Sequence, residues 1–218
     1  MKKMHNVVLM NVSKTIGHDD VLKNISATFE SGKIYGIFGR NGSGKTMLFR
    51  AICGLIKITT GEIYFNDLKL HRDVSYAPNV GVIIETPSFW KEFSGFENLK
   101  MLASIQGKIT DVEIIESLRR VGLDPQDKRP VKKYSLGMKQ RLAIAQGIME
   151  NPDLIVFDEP TNALDEEAVQ LLRQILIEEK ERGAIVIIAS HNKDDIRLLA
   201  DVFMKMESGR LSEVMTYE

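Results

Sequence analysis

Apolar residues recur along this chain in two rhythms. Short, β-branched runs read as strands: "NVVLMNV" from Asn6, "NISATFE" from Asn24, "KIYGIFG" from Lys33, "GEIYFN" from Gly61, "VGVII" from Val80, "DLIVFDE" from Asp153, "AIVIIAS" from Ala184 and "DVFMKM" from Asp201. Several are apolar at every position, as parallel strands covered on both faces must be. Between them, apolar residues three and four apart predict helices over 45–54, 96–105, 111–121, 137–150, 165–182 and 193–200. Strands alternating with helices imply an α/β fold whose binding site lies at the carboxyl ends of the strands. Residues 86–150 break the alternation and read as helix after helix. They are expected to form an inserted helical subdomain, with 1–85 and 151–218 making up the core.

Composition narrows the class. Of 218 residues, 44% are hydrophobic and 27% charged, enough to bury a sizeable core. The net charge of -1 supplies no overall field for nucleic acid or anionic lipid, so no nucleic-acid partner is expected and any phosphate binding must be local. The one cysteine, Cys53, cannot form an internal disulfide and fits a reducing compartment, so a cytoplasmic location is expected. The N-terminal apolar run, Val7 to Met10, is too short for a signal peptide, and no stretch reaches the roughly 18 apolar residues of a membrane span. Membrane work would need another chain. Asn-x-Ser triplets at Asn11, Asn24 and Asn41 read as chance in a chain without a secretory signal.

Residues 39–46, "GRNGSGKT", match G-x-x-x-x-G-K-[ST] between a predicted strand and a predicted helix, which is the context this phosphate-binding loop requires. Gly39, Gly42 and Gly44 let the backbone turn so that N–H groups of Arg40, Asn41 and Ser43 face phosphate oxygens, with a helix dipole behind them. Lys45 would reach the β- and γ-phosphates, and the Thr46 hydroxyl would hold Mg²⁺. "LIVFDE" is a buried strand ending in two carboxylates. Asp158 suits a hold on Mg²⁺, and Glu159 could orient and deprotonate a water in line with the γ-phosphate. His191 follows "AIVIIAS" at another strand end and could hydrogen-bond a γ-oxygen.

Two matches point elsewhere. "NKDD" from Asn192 fits the N-K-x-D guanine-reading pattern, but no aspartate here is followed three residues later by glycine, as a GTPase requires, so the match reads as coincidence. The basic "KRPVKK", 128–133, reads as a solvated loop or a local positive field rather than a nucleic-acid patch. By itself "YSLGMKQRL", from Tyr134, is a surface helix capped by Ser135.

Taken together, phosphate loop, helical insertion, "YSLGMKQRLAIAQGIMENPDLIVFDEPTNALD", then a strand and histidine resemble the ATP-binding cassette ATPases over essentially the whole chain. The resemblance implies a P-loop core of mostly parallel sheet with antiparallel N-terminal strands, ATP and Mg²⁺ as ligands, and a homodimer sandwiching two ATP. It implies that Ser135 and Gly137, at the family's L-S-G-G-Q signature, act on the γ-phosphate of the ATP held by the other subunit. It also places Asp165 in a loop crossing the dimer interface and His191 at the switch position. Glu85 stands where most members have a glutamine that touches Mg²⁺, and Ile16 where an aromatic usually stacks on adenine. Glu85 and the wording of "YSLGMKQRL" resemble the bacitracin and lantibiotic resistance branch of exporters. "TPSFWKEFSGF", with Phe89, Trp90, Phe93 and Phe96, either packs the helices or forms, from Glu85 to Phe96, the groove for a helix of a membrane permease. Membrane association would then come only through that partner. A soluble ATPase of a cytosolic assembly or maintenance complex is the alternative.

Overall fold

The computed structural model describes residues 4–85 and 88–213; residues 86 and 87 of the expected permease groove lie outside them. Strands β1 (Asn6–Ile16), β2 (Asp19–Glu30), β4 (Thr60–Phe65) and β5 (Leu68–Lys69) form an antiparallel sheet in the order β2-β1-β4-β5. The second sheet runs β10-β9-β3-β8-β7-β6 and comprises β3 (Lys33–Phe38), β6 (Val80–Ile83), β7 (Leu154–Asp158), β8 (Ile185–Ser190), β9 (Val202–Glu207) and β10 (Arg210–Glu213). All its pairings are parallel except β9 with β10. Helices α1 (Lys45–Cys53), α2 (Gly95–Gln106), α3 (Asp111–Arg120), α4 (Leu136–Ile148), α5 (Glu166–Glu181) and α6 (Lys193–Leu199) lie within two residues of the predicted windows. The fold is thus the expected α/β class. Among the described residues, α2 to α4 follow β6 with no strand between them, and no helix is long and apolar enough to cross a membrane.

The parallel strands are buried on both faces because two layers cover them. Along β8, Val186 and Ile188 face a cluster shared with α2 to α6, while Ile185, Ile187 and Ala189 face a cluster shared with α1 and the antiparallel sheet. This is the two-residue period of a strand dividing one apolar run between two cores. The helical stretch has no core of its own, since Leu99, Ile114, Leu118 and Ile144 join the same cluster as Ile155 and Phe157 of β7. Arg120 at the end of α3 also bonds Glu179 of α5 at 2.8 Å, and Glu179 is buried.

Local chemistry explains two details. Two of the Asn-x-Ser triplets form a reciprocal bulge across β1 and β2: Asn11 N–H donates to Ser26 Oγ and Asn24 N–H to Ser13 Oγ, both at 2.9 Å. Both asparagines have positive φ, which this residue tolerates better than most. The short β10 arises from a hairpin with positive φ at Ser208 and Gly209, the signature of a type I′ turn.

Helix α4 lies hard against the sheet edge. A Cβ added to Gly81 of β6 would sit 1.7 Å from the Gly147 carbonyl oxygen, and one on Gly147 would lie 2.5 Å from the Phe157 ring. Backbone meets backbone here, and no side chain can yield. Gly81→Ala should therefore cost about 1–3 kcal/mol through overpacking. A thermal melt should show its midpoint lowered by several degrees, and an unchanged midpoint would mean that α4 is free to shift.

Candidate active site

The parallel register brings four strand ends level. Phe38 pairs with Ser190, Asp158 with Ala189, and Ile83 with Phe157. The residues that follow therefore share one edge: the 39–46 loop after β3, His191 after β8, Glu159 after β7 and Glu85 after β6. This is the carboxyl edge at which an open α/β sheet binds its ligand.

Loop 39–46 is shaped by contacts on both sides. At Gly39 a Cβ would meet the Met206 carbonyl oxygen at 2.3 Å and Ser43 Oγ at 2.7 Å; at Gly44, with φ +110°, it would meet the Val21 carbonyl oxygen at 2.8 Å. The tip of the β9–β10 hairpin braces the loop, since Gly209 N–H donates to the Ser43 carbonyl at 2.9 Å and Lys23 N–H to the Gly209 carbonyl at 2.7 Å. Gly44 begins α1 without any side-chain cap, so the first-turn N–H groups face the cleft unfilled by the protein's own side chains. That cleft, about 590 Å³, has Val21 and Lys23 on one wall, the loop on the other, and Asp158 and Glu159 beneath. Lys45 is buried and folds back, donating to the Gly39 carbonyl at 2.7 Å and lying 3.7 Å from Glu159 Oε1.

Asp158 is buried, and Thr46 Oγ1 donates to its Oδ2 at 2.5 Å. Burial raises its carboxyl above the ordinary carboxylate range, the Thr46 bond pulls the other way, and the charge of Glu159 adds to the rise. Its Oδ1 is buried with no partner from the protein. An unanswered carboxylate oxygen beside a threonine hydroxyl fits a hard divalent cation such as Mg²⁺, which takes few protein ligands and completes its shell from phosphate and water. Ser43 Oγ, likewise buried and without a partner, lies in the same loop.

Glu159 holds a left-handed backbone, φ +52°, that costs a non-glycine residue on the order of 1 kcal/mol or more. Its Oε2 lies 2.8 Å from His191 Nδ1 and accepts from Ser190 Oγ at 3.3 Å. With its Nδ1 proton directed at Glu159, a doubly protonated imidazole would present a second donor, Nε2, to solvent. Glu85, also left-handed at φ +63°, accepts at Oε1 from Arg50 Nη2 at 2.6 Å. Arg50 stands one helical turn beyond Thr46, and no motif signalled it.

The signature stretch starts α4 as a capped helix. Ser135 caps α4, its Oγ accepting from Met138 N–H at 3.1 Å. Gly137 is small for a reason within the chain, because a Cβ there would sit 2.8 Å from the Ala163 carbonyl oxygen. Neither residue lines the cleft over the phosphate loop. Asp165 caps α5 through Ala168 N–H at 2.9 Å and is exposed. Ile16 ends β1 half-exposed. Sequence reasoning missed Gln140, which donates to the Pro160 carbonyl at 3.0 Å and ties α4 to the loop after Glu159. In the aromatic cluster Phe89 and Phe96 pack on the helical core, whereas Trp90 and Phe93 are exposed.

Comparison with known proteins shows the family and the fold. Residues 22–162 match the family model described as ABC transporter. The chain is 49% identical over 97% of its length to an ABC transporter ATP-binding protein of Bacillus subtilis (strain 168), YybJ, covering 98% of that protein. It is 36% identical over 93% of its length to the lantibiotic transport ATP-binding protein SrtF of Streptococcus pyogenes, covering 87% of it. Among solved structures, the ATP-binding subunit of an ABC transporter superposes with a TM-score of 0.85 at 25% identity, over 95% of this chain and 89% of that one.

The buried carboxylate leaves a testable mark on the protein free of metal and nucleotide. A raised folded-state pKa means that ionised Asp158 opposes folding, a cost that is present at neutral pH and vanishes as pH falls through the raised value. Asp158→Asn should therefore be more stable than the wild type at pH 7 in chelator. The advantage should shrink to nothing in denaturant titrations taken progressively below the carboxylate range, and a constant difference would deny the burial cost.

Proposed function

The chain belongs to the ABC transporter family and is an ATP-binding ATPase of it; from that premise we propose that it is the ATP-hydrolysing subunit of an exporter, working as a homodimer closed around two ATP. The observation that carries the dimer is the placing of Ser135 and Gly137. They lie outside their own phosphate-loop cleft, Ser135 exposed at the start of α4 and Gly137 part-buried against the Ala163 carbonyl, which supports a phosphate supplied by another copy. The solved ABC cassette that is described as dimeric, which shares the fold at a TM-score of 0.82, is in keeping with this. We take 1–85 and 151–218 as the ATPase core and 86–150 as the inserted signature subdomain. The exposed Trp90 and Phe93 suit a helix of a membrane permease docking between Glu85 and Phe96. The chain would then work at the cytoplasmic face, held to the membrane through its partner, and the lantibiotic relative favours a peptide antibiotic as cargo.

In the proposed reaction ATP lies with its phosphates on the N–H groups of residues 39–46, and Lys45 swings from Gly39 to the β- and γ-oxygens. Glu159 takes a proton from water as the water oxygen bonds to the γ-phosphorus and the bridging bond to ADP breaks. His191 holds Glu159 in place and offers its outer nitrogen to a γ-oxygen. Magnesium bound by Thr46 and Asp158, with Glu85 as the third family position, would neutralise phosphate charge. Ser135 and Gly137 of the second copy complete the phosphate cage.

Glu159→Gln should keep ATP binding, lower turnover by about a hundredfold or more, and accumulate as an ATP-bound dimer in size-exclusion chromatography. Wild-type turnover would remove Glu159 from the role of base. Separately, the chain expressed alone should stay in the supernatant after ultracentrifugation and move to the membrane pellet when a permease is coexpressed. A stable complex with cytosolic proteins instead would favour the soluble assembly ATPase.

A further inference from the structure

Asp195, the last residue of the "NKDD" stretch that resembles a guanine reader, is engaged elsewhere. Its Oδ2 accepts the Thr161 hydroxyl at 2.6 Å, and its Oδ1 accepts the Asn192 side-chain amide at 3.1 Å. Ser190 Oγ lies 3.4 Å from the same Oδ2 and 3.3 Å from Glu159 Oε2, and accepts Asn192 N–H at 3.0 Å. Ser190 is buried, so water does not relieve the competition.

A hydroxyl has one proton and can give it to one carboxylate at a time. The Thr161 bond already answers Asp195 Oδ2, as His191 Nδ1 at 2.8 Å answers Glu159 Oε2, so with both in place Asp195 does not compete for the Ser190 proton and it goes to the nearer Glu159. The same Thr161–Asp195 bond clamps the loop two residues beyond Glu159 to the helix that follows His191. Glu159 itself needs such a clamp, since its left-handed backbone persists only where its surroundings hold it.

We propose that Asp195 is a positioning residue for Glu159: paired with Thr161, it fixes the loop carrying Glu159 against the loop carrying His191 and leaves the single Ser190 proton on the Glu159 carboxylate. The proposal rests on Glu159 being the base. It carries an unusual signature, because removing Thr161 alone leaves Asp195 hungry for a donor and draws the Ser190 proton away from Glu159. Removing Asp195 as well returns that proton.

The test compares Thr161→Val, Asp195→Ala and the double variant for ATP turnover, KM and thermal midpoint. Thr161→Val should lose roughly tenfold to a hundredfold in kcat with KM for ATP unchanged. Asp195→Ala should lose less, and the double variant should recover to the level of Asp195→Ala. A double variant worse than Thr161→Val, or wild-type kcat in Thr161→Val, overturns the proposal. Should Asp195→Ala not fold, Ser190→Ala replaces it, with a kcat loss matching that of Thr161→Val expected and wild-type kcat again overturning. Glu159→Gln separates the two levels: if it is inactive while these variants are normal, only the clamp is wrong, and if it is active, the base assignment is wrong.

Discussion

The Thr46–Asp158 hydrogen bond joins the first turn of the helix after the phosphate loop to the end of a strand buried along its whole length. It ties two chain segments more than a hundred residues apart, and it does so on a carboxylate that burial makes costly to ionise. A strand apolar at every other position, Leu154 to Phe157, cannot hydrate the charge at its own end. That charge has to be answered by Lys45, by the Thr46 hydroxyl and, at Oδ1, by something the protein does not supply. Ligand binding is in this sense demanded by the way the sheet is built. The same carboxylate in an exposed loop would be satisfied by water and would hold no cation in place.

Strain is concentrated where the sheet meets this charge. Glu85, Glu159 and Ala163 are all non-glycine residues in the left-handed region, each just beyond or near a strand end at the site. Each has a neighbour that limits it: Glu159 N–H bonds the Ala189 carbonyl at 2.8 Å, Glu85 is paired with Arg50, and the Ala163 carbonyl fills the space a Cβ on residue 137 would need. Backbone strain held by several independent contacts favours two discrete arrangements over a soft continuum. A change at the phosphate that altered one of these contacts would therefore be felt as a switch in loop 159–165.

What could be read from the sequence follows the range of the interactions. Strands β7 and β8 were legible because a fully apolar run bounded by polar residues has few alternatives, and loop 39–46 because its glycines, lysine and threonine are consecutive. Helix α4 was legible as a capped helix, and Ser135 does cap it, but the sequence could not show that Gly137 is small because Ala163 approaches it. Gly81 and Gly147, Arg50 with Glu85, and Asp195 with Thr161 were invisible for the same reason. Each is a contact between segments tens of residues apart, and no local signal in either member names its partner. The "NKDD" stretch shows the converse hazard, in that its spacing matched a motif while its chemistry belonged to another loop. Ser208-Gly209 is a local turn signal, yet nothing near it in the sequence shows that the tip of the β9–β10 hairpin braces the phosphate loop.

Glu85 shows most clearly how a charge at this edge is accommodated by another residue. An acidic side chain at this edge adds a third negative charge to Asp158 and Glu159, and repulsion among the three would push the end of β6 away from β7. Arg50, one turn beyond Thr46 on α1, answers that charge by donating to Glu85 Oε1 at 2.6 Å. The pair is partly exposed, so its direct contribution to stability is small. Its effect is geometric: it ties the end of β6 to the helix that carries Lys45 and Thr46, so that a movement of either is transmitted to the other. Under the proposed reading the permease groove begins at Glu85. The path from the nucleotide to the membrane subunit then starts with a single ion pair whose positive half lies on the phosphate-loop helix.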